Sequence, residues 1–458
     1  MVITSYGFLL IFLPLTFLIY WRIPQKLTFL CITSYLFYAL GGLIFVPLLI
    51  GLSFATYWLA LRKRFNLGIA LNLLALIFFK YWNFGADTLN AFGHAIGITA
   101  LVPLLNLALP LGISFFVFKH IGYLLDIRGE RFAPVTNPLL FLTYSAFFPQ
   151  ISAGPMSVSD DIFKQLANLS QTIQSDQVYQ GIASISIGLV KKILIADVLN
   201  TALQTALFAS PEANNGFFWA WCSVGMYALQ LYFDFSSYTD IVLGVGILFG
   251  VTLPPNFNNP YLATSPSDFW QRWHISLSTW FRFYLFFPLS RTLIKRWGTI
   301  QSALAQYAAN FVTMVLIGLW HGAGWGFFLW GLYHGLLLNL FAWAKRRKWQ
   351  IEGHTVMIVC ILIGWALFLS PNLTFAGKLF SNMIGLHGLG SLENLLSIYK
   401  PLLFFTFLTA ILLTIFGTVE AANMPNLKRP VYAFTLGVLA VFCLIHLAAA
   451  TKFIYIQF

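Results

Sequence analysis

Two histidines stand where an imidazole could do chemistry. His321 lies in Gly318-Leu319-Trp320-His321-Gly322-Ala323-Gly324-Trp325-Gly326, inside an otherwise apolar stretch. A titratable side chain is costly in lipid unless it faces protein or a water-filled cavity, so its presence points to function. The glycines let a backbone or a ligand come close, and they weaken regular helix, which a membrane tolerates only beside protein or a cavity. A neutral imidazole, with an ordinary pKa of about 6.5, suits removal of a proton from a hydroxyl at cellular pH. The competing reading is a packing motif in which small residues allow close approach and His321 merely bridges helices.

The second histidine follows a loop. Pro254 to Pro266 carries four prolines and three asparagines and cannot be regular helix. The amphipathic stretch after it predicts one helix through Arg282, with Ser267-Asp268 as the N-cap pair. On it Trp270, Trp273, His274, Leu277 and Trp280 share a broad face, with Gln271 off that face, and Asp268 and Arg272 form an i, i+4 pair. A tryptophan-rich face beside arginines also describes a helix lying in the membrane surface.

The other six histidines carry weaker signals. His120 and His446 read as packed, hydrogen-bonded core residues, and His94, His354 and His387 as solvated. His334, in Trp330-Gly331-Leu332-Tyr333-His334-Gly335, follows His321 by thirteen residues and is open between a structural and a direct role. Asp234 and Asp240 fall in or beside apolar runs and must be paired, hydrogen-bonded or wet, as a tunnel lining or an ion pathway. The chain has no GxSxG elbow, Walker loop, HExxH or convincing dinucleotide turn, and no metal site is expected.

What must position these residues is a membrane scaffold. Of 458 residues 59% are apolar and 9% charged, and the mean hydropathy is +0.79, which excludes an ordinary soluble domain. The length holds about a dozen spans of roughly 20 residues in one integral domain, 1–458. The net charge of +12 comes from short clusters between apolar runs, so it reads as topology and not as nucleic-acid binding. Arg62-Lys63-Arg64 and Lys345-Arg346-Arg347-Lys348 are the densest and belong on the cytoplasmic side; Lys191-Lys192, Lys295-Arg296 and Lys428-Arg429 are weaker indications. Cys31, Cys222, Cys360 and Cys443 form no CxxC pair and read as packing residues. Ser5 to Trp21 reads as a retained first span.

Apolar runs fall near 3–21, 27–61 (long enough for two tilted or broken segments, one crossing or two), 66–83, 101–125, 138–152, 178–197, 217–235, 237–253, 303–320, 325–343, 355–370, 401–417 and 431–450. They predict an all-α polytopic protein of about eleven transmembrane helices plus re-entrant and interfacial helices. No internal repeat is evident, which counts mildly against an inverted-repeat transporter.

On these residues the chain resembles the membrane-bound O-acyltransferases, and within them the integral membrane component of alginate O-acetylation. The matching stretches run in order: Leu109 to Phe116, Phe147-Phe148-Pro149-Gln150 with Ala153-Gly154-Pro155, Gly188 to Lys192, and Tyr232 to Ser236. Asn256 to Tyr261, Asp268-Phe269-Trp270 through Ser278, and Leu319-Trp320-His321-Gly322 follow. They cover roughly residues 5–345; the spans of 355–450 match only as hydrophobic segments. The resemblance implies acyl transfer inside a bacterial inner membrane, in a ring of tilted helices around a central tunnel, with funnels from both sides meeting at His321. It places the family's near-invariant histidine on His321 and its second marked histidine on His274. His321 would then activate the acceptor hydroxyl and His274 orient or polarise a reacting group. Asp268 and Arg272 would shape the donor's mouth, with Trp320, Asn256 and Asn258 completing the substrate-binding set. Acetyl-CoA is the implied donor, as a substrate and not a permanently bound cofactor. The implied acceptor is a cell-surface polysaccharide or a periplasmic acetyltransferase partner, with membrane lipid around the protein and no nucleic acid. Phe283-Tyr284 and Leu289-Ser290 stand where the alginate branch usually has an aspartate and a glycine pair, so alginate, cellulose, peptidoglycan and other glycans stay open. The alternative from another class is a transporter of polysaccharide or lipid-linked glycan, with the buried acids as ion sites; a non-enzymatic scaffold comes third.

Overall fold

The computed structural model describes residues 3–98, 101–204, 216–390, 401–416, 430–451 and 453. Lys428-Arg429 lie outside the described residues. Among the described residues every regular element is a helix. Lys26–Leu61, Phe65–Ala95, Phe217–Leu248, Thr299–His321 and Trp325–Arg346 are long and apolar enough to cross a membrane, with Gly7–Tyr20, His354–Leu369 and Pro430–His446 as shorter apolar helices. Leu10, Ile11, Leu15, Ile32 and Leu40 are exposed on such helices, the outward apolar surface a lipid solvent rewards.

The chain packs as two compact units, Met1–Gly181 with Val245–Pro254, and Ile182–Gly244 with Pro255–Phe458. In the first, the 27–61 run is two helices, Lys26–Gly42 and Val46–Leu61, joined by a short 3-10 turn before Pro47. The 101–125 run is helical only from Ile113. Upstream of it Asn90 and Asn83 each use both ends of the side-chain amide to hold the backbone of Val102 and of Leu105. Gly112, at φ +66°, begins the helix where any Cβ would sit 1.8 Å from the Ile151 carbonyl oxygen. His120 is the buried core histidine expected, bonded to Asn72 at 3.0 Å and Ser145 at 2.6 Å.

The runs 217–235 and 237–253, expected as two spans, are one helix, Phe217–Leu248. The polar residues between them do not break it, because Ser237 and Thr239 return their hydroxyls to the carbonyls of Asp234 and Phe235. Asp234 and Asp240 on this helix pair with Lys192 at 2.7 Å and Lys191 at 2.5 Å. Lys192 also reaches Asp197 at 2.9 Å. These lysines are buried; they compensate interior carboxylates and do not mark a cytoplasmic loop. His446, expected in the core, is exposed and bonded to the Phe442 carbonyl.

Candidate active site

The loop after Pro254 builds the first half of the site. Ser265, not Ser267, caps the next helix: its hydroxyl accepts from the Asp268 N–H, with Pro266 in the first turn. That helix, Pro266–Arg272, ends after seven residues. Trp273 is extended, His274 is left-handed at φ 43° and ψ 54°, and a second helix runs Ile275–Phe281. The single amphipathic helix expected from the pattern is therefore broken at His274. Nor is its aromatic face open to anchor in a membrane surface: Phe269, Trp270, Trp273 and His274 are all buried in the protein. Side-chain spacing shows a hydrophobic face but not a one-residue reversal of backbone hand.

A left-handed non-glycine residue costs about 1–2 kcal/mol, and the loop holds it from both sides. The Asn256 carbonyl accepts from the Ile275 N–H at 2.9 Å. Its side-chain oxygen accepts from the Ser276 N–H at 3.3 Å and hydroxyl at 2.6 Å. The Asn258 N–H donates to the Arg272 carbonyl at 3.0 Å. Asp268 and Arg272 pair with each other at 2.6 Å, and Asp268 also accepts from the Thr264 N–H. These four residues, expected as substrate contacts, spend their polar groups on the shape of the loop that carries His274. Burial pushes the His274 imidazole down to about 3, so it is neutral.

His321 is the last residue of the helix Ser302–His321, which turns at 322–324 into Trp325–Arg346. The two helices form an antiparallel hairpin whose closeness explains part of the glycine frame. A Cβ on Gly318 would meet the Phe327 carbonyl oxygen at 2.2 Å, one on Gly331 the Met314 carbonyl oxygen at 2.4 Å, and one on Gly322 the Phe327 ring at 2.0 Å. The His321 ring is buried among Trp320, Trp330 and Phe368, with centroids at 5.1, 5.2 and 5.4 Å. The His274 ring lies 6.4 Å from it. One hydroxyl or water can bridge that separation when a nitrogen of each ring faces it. Trp320 closes the group, 6.0 Å from His274, and Phe235 packs on His274 at 4.8 Å.

Two cavities approach His321 along its hairpin. One, of about 330 Å³, is lined by Trp270, Gln271, Arg282, Asn310, Thr313 and Ile317 among others, and Ile317 lies one helical turn before His321. The indole N–H of Trp270 and the hydroxyl of Thr313, both buried, have no hydrogen-bond partner among the described residues. Arg282 supplies its cation; Asp268 and Arg272 do not line it. The other, of about 380 Å³, is lined by residues 323–327 and by Phe368, Ser370 and Asn372 among others. The basic cluster at Lys345-Arg346 ends the Trp325–Arg346 helix opposite the His321 turn, so the first cavity is on the basic side of the histidine.

Sequence reasoning missed Phe235, Phe368, Ser276 and Arg282 as neighbours of the site. Phe368 sits in a plain apolar run and carries no signal of its own; Ser276 and Arg282 were in view, but only as positions on the expected helix. His334 is buried beside Trp330 at 4.7 Å and Trp270 at 5.2 Å, behind Trp330 as seen from His321.

Residues 43–376 match the family model described as "MBOAT, membrane-bound O-acyltransferase family". Among curated relatives, a protein named "Probable alginate O-acetylase AlgI" from Pseudomonas syringae pv. tomato is 35% identical over 403 residues, 84% of this chain and 75% of that one. The "Peptidoglycan O-acetyltransferase" of Helicobacter pylori is 34% identical over 433 residues, covering 83% of this chain and 79% of that protein. The "Teichoic acid D-alanyltransferase" of Bacillus subtilis is 27% identical over 399 residues, 76% of this chain and 98% of that one. The helical membrane architecture and these relatives define a multi-pass acyltransferase. The chain belongs to the membrane-bound O-acyltransferase family.

Proposed function

We propose that this chain is an O-acetyltransferase of a bacterial inner membrane that passes an acetyl group from a cytoplasmic thioester, acetyl-CoA, to a hydroxyl of an extracytoplasmic polysaccharide or of a periplasmic partner protein. The observation that carries this reading is the buried pair His321 and His274, 6.4 Å apart, with one cavity lined by Ile317, a turn before His321, and another by Ala323 and Gly324, just after it. The donor enters the cavity on the basic side, where Arg282 suits a phosphate-bearing carrier and the open polar groups of Trp270 and Thr313 suit a polar arm. The acceptor hydroxyl enters from the other.

In the transfer His321 takes the proton of the hydroxyl while its oxygen attacks the thioester carbonyl carbon. The new C–O bond forms, the C–S bond breaks, and the proton passes to the leaving thiolate. His274, neutral and fixed, orients or polarises the reacting group. Aromatic walls exclude water, which favours transfer over hydrolysis. The transport reading is weaker because Asp234 and Asp240 are already matched by buried lysines.

The test is thiol release from acetyl-CoA, coupled to acetylation of an added acceptor, by the purified protein in lipid nanodiscs. His321→Ala should lose about 10²-fold or more in rate with thermal unfolding near that of the parent. Undiminished transfer by a folded His321→Ala protein would return His321 to a packing role.

A further inference from the structure

A third cavity, of about 410 Å³, is lined by neither His274 nor His321 and is walled almost wholly by hydrocarbon. Ile358 and Leu362 of His354–Leu369 contribute one wall, Phe407 and Ile411 of Pro401–Phe416 another, and Gly225 and Ala228 of Phe217–Leu248 a third. The hydroxyls in the lining are spent inside the protein: that of Tyr261 donates to the Ala228 carbonyl at 2.6 Å and that of Thr414 to the Ala410 carbonyl at 2.7 Å. A Cβ on Gly225 would meet nothing within 4 Å, so packing does not demand a glycine there. A sugar or a nucleotide finds no polar partner in such a wall, and an apolar void stays dry. Left empty, it forfeits the dispersion contacts of its lining. Hydrocarbon is what fits.

One end of the cavity has a different character. His354, exposed, begins the first wall, and Leu362 lies about 12 Å further along it at 1.5 Å per residue. Just upstream the chain carries Lys345-Arg346-Arg347-Lys348 against the single acid Glu352. In the same stretch Trp343 and Trp349, both exposed, meet edge to face at 4.9 Å. Tryptophans beside a basic cluster mark the level at which lipid headgroups lie. The cavity therefore runs from that level into the apolar layer. The Gly353 N–H donates to the Thr264 carbonyl at 3.0 Å, which ties this end to the loop that carries His274.

We infer that this cavity holds one acyl chain of an anionic phospholipid, with the phosphate at the His354 end beside the cations of 345–348. The chain supports Tyr261 and Leu262, which line the cavity and belong to the loop before His274. The Tyr261 ring lies 6.2 Å from that of Trp273, the residue that precedes His274, so the lipid braces the turn from behind. A phospholipid matches both halves of the site, a chain for the dry wall and a negative charge for the basic end. The inference does not depend on the transfer proposed at His321.

The experiment uses the full-length protein in detergent, incubated with phosphatidylglycerol or phosphatidylcholine that carries a photoreactive diazirine in one acyl chain. Native mass spectrometry counts the lipid retained, and peptide mapping after illumination locates the label. The parent should retain one phosphatidylglycerol in preference to phosphatidylcholine, with label concentrated in 354–362 and 407–414. Gly225→Leu, which the open space around Gly225 admits, should lose most of that label while the outward-facing Leu15 and Leu40 keep theirs. Should this variant fail to fold, the map of the parent decides alone. Arg347→Gln with Lys348→Gln should lower the preference for phosphatidylglycerol about fivefold per charge removed, the scale of one cation near an anionic surface. Label spread evenly over the outward apolar surface, undiminished label in a folded Gly225→Leu protein, or equal retention of the two lipids by the parent would overturn the site. So would a preference unmoved by loss of the two cations.

Discussion

Asn256→Ala is the sharpest test of how the site is held together. The side-chain oxygen of Asn256 accepts from both the N–H and the hydroxyl of Ser276, and Asn256 is wholly buried, with Ser276 at 5% exposure. Removing it orphans two buried donors at about 1–3 kcal/mol each, roughly 2–6 kcal/mol together. The left-handed turn at His274 already carries about 1–2 kcal/mol of strain, and only two backbone bonds of the clamp remain, from the Ile275 N–H to the Asn256 carbonyl and from the Asn258 N–H to the Arg272 carbonyl. The turn should relax and carry the His274 ring off its position 6.4 Å from His321. If half of that loss falls on the active geometry, about 1–3 kcal/mol, kcat/KM drops roughly 5- to 150-fold. Ser276→Ala is the internal control: it removes one donor but leaves the backbone N–H of residue 276 bonded to Asn256, for about 1 kcal/mol, half of which is roughly twofold in kcat/KM. The assay is steady-state acetyl transfer in nanodiscs, with thermal unfolding measured on the same samples. A clamp that positions His274 predicts a clearly larger loss in Asn256→Ala than in Ser276→Ala. Equal kcat/KM for both variants and the parent, with only the melting lowered, would refute the argument and make the loop a stability element alone.

Three further outcomes follow from the geometry. His274→Ala should cut acetyl transfer severely and the double variant with His321→Ala should resemble His321→Ala by itself, because residues acting as a unit are non-additive; multiplicative losses would separate the two imidazoles functionally. Lys192→Met strands Asp234 and Asp197 in the interior, and breaking a buried pair costs about 3–5 kcal/mol; yield and melting in detergent should collapse, and adding Asp234→Asn and Asp197→Asn should recover part of both. With Cys31, Cys222, Cys360 and Cys443 replaced, single cysteines beside Arg64 and Lys348 should resist an impermeant thiol reagent in intact cells, as the charge rule requires; labelling of either before permeabilisation would reverse the orientation.

The sequence by itself determined the solvent, the all-helical class and the two histidines. Those follow from quantities that are local and additive: mean hydropathy, the length of apolar runs, and the cost of a titratable group in lipid, which made His321 and His274 conspicuous without any contact being known. The ordered family stretches lie mostly on the same residues, because what packs around such groups is written into short segments. Tertiary structure decided the rest. The hairpin of Ser302–His321 and Trp325–Arg346 brings backbone to within a Cβ's reach of Gly318 and Gly331, which separates the glycines needed for packing from Gly324 and Gly326, free of that demand. The Pro266–Arg272 helix stops where Asn256 supplies the hydrogen bonds that make a left-handed His274 tolerable, a long-range exchange that no periodicity encodes. Asp234 and Asp240 are buried on one unbroken helix and matched by lysines more than forty residues away. Periodicity describes one element at a time, whereas strain, burial of charge and empty volume depend on what the rest of the chain brings to the same place.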